Sequence, residues 1–121
     1  MLLSADERAA GGGFSLASFQ LGRTRFPLTL FAQELHALLS AGLNLVEALE
    51  TLAEKDAGSE AARTLDRVLA EVRQGRTLSR ALEPMPRDFP PLFVATVRAS
   101  ERSGGLPEAL RRYIAYQQQM D

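Results

Sequence analysis

The chain has 121 residues, 45% of them apolar, with a formal net charge of −1 and no cysteine. That length holds one domain with a real core, and that apolar content is too high for a disordered chain. The charge gives no global pull toward nucleic acid or an acidic membrane, and the missing cysteines exclude disulfides, thiolate zinc sites and thiol catalysis.

Residues 1–25 read as a flexible leader. Ala9-Ala10-Gly11-Gly12-Gly13 packs poorly, Phe14, Leu16, Phe19 and Leu21 alternate loosely with small residues, and Gly22–Arg25 is a small basic patch expected on the surface. Asp6 and Glu7 interrupt any signal-peptide apolar segment, and no apolar run approaches the roughly 18 residues of a membrane span.

From residue 26 the chain is punctuated by one repeated pattern. Gly42 is followed by Leu45, Ala48 and Leu49, and Gly75 by Leu78, Ala81 and Leu82. Gly104-Gly105 is followed, one residue closer, by Leu106, Ala109 and Leu110. A glycine that stops a helix and a Leu-x-x-Ala-Leu stripe that opens the next describe helical hairpins. The spacing predicts a first helix from Pro27 to Ala41, with Phe31, Leu35, Leu38 and Leu39 on one face. A second opens at Asn44, with Glu47 completing a capping box, and carries Leu45, Leu49 and Leu52.

A third helix is predicted from Ser59 to Gln74 on Leu65, Val68, Leu69 and Val72, with Asp66 and Glu71 near arginines at helical separations. Thr77 caps a short fourth helix to Leu82, with Leu78 and Leu82 buried. Pro84–Pro91 is too rich in proline for helix and becomes a rigid connector with Phe89 anchored in the core. The fifth helix, Pro91 to Ser103, carries Leu92, Phe93, Val97 and the small Ala95 and Ala99, and reads as tightly packed. The sixth has Pro107 in its first turn and runs to Gln119. The fold class is all-α: an antiparallel six-helix bundle built from helical hairpins. The expected division is a leader at 1–25 and a helical domain at 26–121.

Candidate chemistry is sparse. His36 is the single histidine and reads as a structural residue of the first helix. No serine is singled out for nucleophilic catalysis, and Ser103-Gly104-Gly105 lacks the lysine and spacing of a P-loop. No enzyme activity, catalytic residue or bound cofactor is expected. Glu101, among Arg98, Arg102, Arg111 and Arg112, reads as an ion-paired surface glutamate. Two other readings of it stay open, an interface residue or an oxygen ligand for calcium or magnesium. Tyr113 and Tyr116 read as packing and rim residues, and Gln117–Gln119 as a solvated helix end. A helix-turn-helix-like nucleic-acid-binding or regulatory module is the alternative reading. Near-neutral charge and the lack of a strongly basic recognition helix count against it.

Four ordered blocks then carry a resemblance. They are Phe31 to Leu49, Gly75 to Leu82, Phe89-Pro90, and Glu101 to Leu106 with Ala109-Leu110. The sequence resembles the F domain of the inner-membrane platform proteins of bacterial type II secretion and type IV pilus biogenesis, from about Phe26 to Gln119. The resemblance implies a non-enzymatic scaffold domain on the cytoplasmic side of the inner membrane. Its implied partners are the assembly ATPase, other inner-membrane components and further copies of itself, a dimer among them, and no nucleic acid. It also implies that this is the first cytoplasmic domain of a membrane-embedded parent. His36 and Asn44 depart from the residues expected there. Gly42, Gly75, Phe89, Gly104 and Gly105 are the implied structural positions, and Arg98, Glu101, Arg102, Arg111 and Arg112 the candidate contact surface.

Overall fold

The computed structural model describes residues 26–120, and the leader readings at 1–25 lie outside them. Six α-helices occur in these residues, with no strand among them: α1 Leu28–Ser40, α2 Leu45–Lys55, α3 Glu60–Arg73, α4 Leu78–Leu82, α5 Pro91–Ser103 and α6 Leu106–Met120. Each helix packs on its neighbour in sequence, and α1 closes the circuit on α6.

The turns follow from local chemistry. Gly42 and Gly75 both sit at positive φ, 106° and 93°. After α1, the Gly42 amide donates to the Leu39 carbonyl and the Leu43 amide to the Leu38 carbonyl. After α3 the same pair runs from Gly75 to Val72 and from Arg76 to Glu71. This crossed pairing satisfies the last free carbonyls of a helix, and its left-handed residue is best supplied by glycine. The capping box of α2 forms as the sequence predicts. The Glu47 amide donates to Asn44 Oδ1 at 2.8 Å, and the Asn44 amide donates to Glu47 Oε1 at 3.1 Å.

An aromatic chain ties the circuit together. Phe26 lies 4.9 Å from Phe89 and 5.4 Å from Phe31, Phe31 6.4 Å from Phe93, and Phe93 5.0 Å from Tyr113. These are edge-on and tilted contacts, which the ring quadrupoles favour. Phe89 is buried, as its role as connector anchor requires. Leu35, Leu49, Leu82 and Leu110 fill the rest of the core with no exposed surface.

Two expectations need correction. The fifth helix does not pack on all sides: Leu92, Ala95 and Ala99 are exposed, and Phe93, Val94, Val97 and Ser100 face inward. At about 100° per residue the buried arc holds Phe93, Val94, Val97 and Ser100 and leaves Leu92 on its outer edge, with the Phe93 ring seated among Phe31, Phe89 and Tyr113. Asp66, expected beside an arginine, has no ion pair among the described residues; on α3 it is Glu71 that pairs, with Arg76 at 3.1 Å, while Arg73 reaches Glu50 of α2 at 2.5 Å.

Candidate functional site

Five residues are too few for a helix to hold itself, because nucleation fixes several dihedrals for one hydrogen bond. The sequence around α4 supplies the missing support from two directions. Thr77, in extended conformation at the N-cap, accepts the Arg80 amide on its Oγ1 at 3.2 Å. Glu101, 22 residues away in the last turn of α5, accepts the Ser79 amide on Oε2 at 2.8 Å and the Ser79 hydroxyl on Oε1 at 2.7 Å. Ser79 is one of two buried polar residues among those described, so both of its donors are met by Glu101. A carboxylate at a helix N-terminus also complements the partial positive charge there.

The other end of α4 is held by the same helix. Glu83, its C-cap residue, pairs with Arg98 of α5. Residues 79 and 83 of one segment thus meet 101 and 98 of the other in reversed order. Just beyond, Gly104 takes φ 78°, and its amide and that of Gly105 both donate to the Ser100 carbonyl, at 2.7 and 3.2 Å. Gly105 does not share the positive φ, and a β-carbon there would meet only ordinary contacts. The Gly-Gly break therefore owes its conformation to Gly104.

The structure separates what the sequence groups. Glu101 turns toward Ser79, and no arginine pairs with it among the described residues, so the ion-paired surface reading gives way to a tertiary helix cap. Arg111 and Arg112 instead flank Glu108 on α6, Arg111 through Nε at 3.3 Å and Arg112 at 3.7 Å. Arg102 is exposed, with no ion pair among the described residues. Both Glu101 oxygens accept from Ser79, and the described residues hold no group of three His, Cys, Asp or Glu side chains around it. His36 is half-buried on α1. Tyr113 is buried and Tyr116 exposed, as packing and rim residues would be, and burial raises the Tyr113 hydroxyl pKa above its ordinary value. Ser79 and Glu108 are the residues that sequence reading missed. Glu108 had a signal, its spacing of three and four from the two arginines; Ser79 had none.

The Arg111 guanidinium holds the Glu108 carboxyl below the usual carboxylate range, with smaller help from the charges of Arg111, Arg112 and His36. A depressed folded-state pKa contributes stability above the unfolded value and loses it as pH falls through the folded one. Glu108 is exposed, so the effect is small. A carbon-detected NMR titration is expected to place the Glu108 midpoint below the ordinary glutamate value. The melting difference between wild type and Glu108→Gln should close in acid.

Fold and site together define an all-helical domain whose buried polar groups hold helix ends in place. Residues 31–121 match the model of the type II secretion system (T2SS), protein F, and the chain belongs to that family. It is 33% identical to the type II secretion system protein F of Aeromonas hydrophila over 101 residues, 84% of this chain and 26% of that protein. Against the protein of the same name from Pseudomonas aeruginosa it is 32% identical over 113 residues, 93% and 27% of the two chains. Similarity extends to the type IV pilus assembly protein PilC of Pseudomonas aeruginosa, 26% identical over 94 residues, 78% and 25% of the two chains. The chain thus spans about a quarter of the length of these relatives. No helix of the described residues is long and apolar enough to cross a membrane.

Proposed function

We propose that this chain is a non-enzymatic scaffold domain of an inner-membrane platform protein in type II secretion or type IV pilus assembly. In this reading it lies on the cytoplasmic side, presents surfaces to the assembly ATPase and to other inner-membrane components, and associates with further copies of itself. The observation that carries the reading is the family match over 31–121, which spans every helix but the first turn of α1. The arrangement is an antiparallel bundle of hairpins, supported by the reversed order in which α4 and α5 meet. The relatives' names are those of type II secretion system and type IV pilus assembly proteins, and a rigid bundle whose buried polar groups hold its own helix ends suits the passing of force between partners.

Within this reading Arg102, Arg111 and Arg112 supply the contact surface. All three are exposed, and exposed arginines suit bidentate recognition of carboxylates. Glu101 and Arg98 set the angle at which α5 and α6 present them. The double substitution Arg111→Glu/Arg112→Glu is expected to cut binding to the assembly ATPase at least tenfold and to reduce secretion or piliation in a complemented deletion strain. Its melting temperature should fall only slightly, because the lost pairs with Glu108 are exposed. Unchanged binding together with unchanged export would refute the assignment of this surface. Salt-dependent binding of duplex DNA by the wild-type chain would instead favour a nucleic-acid role.

A further inference from the structure

The start of α1, the end of α2 and the start of α3 leave a groove between them. α1 and α3 both pack on α2 and not on each other. Phe26, Leu30, Ala61 and Leu65 form an apolar wall, and Leu30 leaves 46% of its surface exposed there. The two charged side chains that line the groove, Glu34 and Asp56, are both acidic. Lys55 holds one oxygen of each, at 3.3 and 3.6 Å, and their second oxygens have no partner among the described residues. Two carboxylates and one ammonium leave this end with a net negative charge. The groove has about 250 Å³ of open space, below the roughly 300–1,000 Å³ of small-molecule pockets. That size suits the side chains of a peptide.

We infer that residues 19–25 of the same chain dock in this groove. Charge and alternation select this occupant. From Ala9 to Arg25 the only charged residues are Arg23 and Arg25. An extended chain sends alternate side chains to opposite sides. Phe19, Leu21, Arg23 and Arg25 then share one side, and Ser18, Gln20, Gly22 and Thr24 the other. An apolar and basic side matches an apolar wall edged by carboxylates, and the small polar side is left to water. Arg25 adjoins Phe26, itself part of the wall. Leu21 lies five residues before Phe26, a span of at most about 18 Å. This short tether brings Leu21 to Leu30 while keeping both arginines near Glu34 and Asp56. Arginine suits the carboxylate oxygens that Lys55 leaves open, because its planar fork donates in pairs. Docking also takes Leu21 and Leu30 out of water together. It does not depend on the export reading, and it gives the leader a fixed place on the domain.

The test is solution NMR on the full 121-residue chain with labelled methyl groups. Nuclear Overhauser contacts are expected from the Leu21 methyls to those of Leu30, Ala61 and Leu65. Backbone order parameters of residues 19–25 are expected above about 0.6, the level below which a backbone counts as flexible. Leu21→Ser should bring them below that level and shift the amide signals of Leu30 and Ala61, leaving those of Ala70 and Ala99 in place. Glu34→Arg/Asp56→Arg should release the segment in the same way, and adding Arg23→Glu/Arg25→Glu should restore its order. Circular-dichroism melts confirm that each variant folds; if the groove pair does not, Leu21→Ser, outside the helical domain, still decides. Wild-type order parameters below about 0.6, with no contact from Leu21 to the groove, would overturn the inference. Contacts seen only between differently labelled copies would overturn it in favour of a groove that takes the leader of a second copy.

Discussion

Phe93→Ala is expected to lower the stability of the domain by about 3–5 kcal/mol, the range for truncating a buried aromatic side chain. The ring has no exposed surface and meets Tyr113 at 5.0 Å, Phe89 at 6.3 Å and Phe31 at 6.4 Å. Those neighbours come from α6, the proline-rich connector and α1. Truncation therefore opens a cavity where three segments meet, and none of them can collapse into it without leaving its other contacts. A domain of this size has about 5–15 kcal/mol in total, so the loss approaches unfolding. Leu92→Ala, one residue earlier, is expected to stay within about 0.5 kcal/mol when melted as a dilute monomer. Urea unfolding reads both as shifts of the midpoint at constant slope. Equal losses at Leu92 and Phe93 would mean that α5 is rotated relative to the core.

That contrast marks where sequence reading stops. Helix ends were legible because their chemistry is local. Asn44 and Glu47 sit three residues apart and bond to each other's amides. Gly42 and Gly75 stand where a left-handed residue closes a helix. Phe89 was legible as an anchor because prolines around it forbid a helix and leave one aromatic side chain to bury. Rotation of α5 was not legible. Leu92, Phe93, Ala95, Val97 and Ala99 put apolar groups all round the helix, so periodicity alone does not choose a face, and the choice falls to Phe31 and Tyr113 from distant segments. The same limit hid the true partner of Glu101. Arginines near it in sequence offered an obvious pairing, but a side chain bonds with what the fold brings near. Here that is a serine 22 residues away, buried, with two donors to satisfy.

Removing that carboxylate should therefore cost far more than removing a surface glutamate. Glu101→Ala leaves the buried Ser79 with its amide unpartnered and its hydroxyl with only Thr77 Oγ1, at 3.3 Å. An unsatisfied buried donor costs about 1–3 kcal/mol, and a bond to a charged acceptor contributes more than a neutral one. A loss of about 2–4 kcal/mol is expected, against about 0–1 kcal/mol for an exposed ion pair. For a domain near 100 residues this lowers the melting temperature by on the order of 10 °C or more. Glu101→Gln should fall between, since one carboxamide oxygen still accepts while its amide group turns a donor toward a donor. Ser79→Ala removes one of the two bonds, so its loss and that of Glu101→Ala should not add. A double-mutant cycle is expected to give a coupling above about 1 kcal/mol. The damage should also be local. With the Glu101 carboxylate gone, the polar support of α4 is reduced to the Thr77 cap and the Glu83–Arg98 pair, and the Ser79 amide is expected to exchange with solvent about 100-fold faster than in wild type. A melting temperature within about 2 °C of wild type, with that amide still protected, would show that Ser79 finds another acceptor and that α4 is held by its buried Leu78, Ala81 and Leu82 instead.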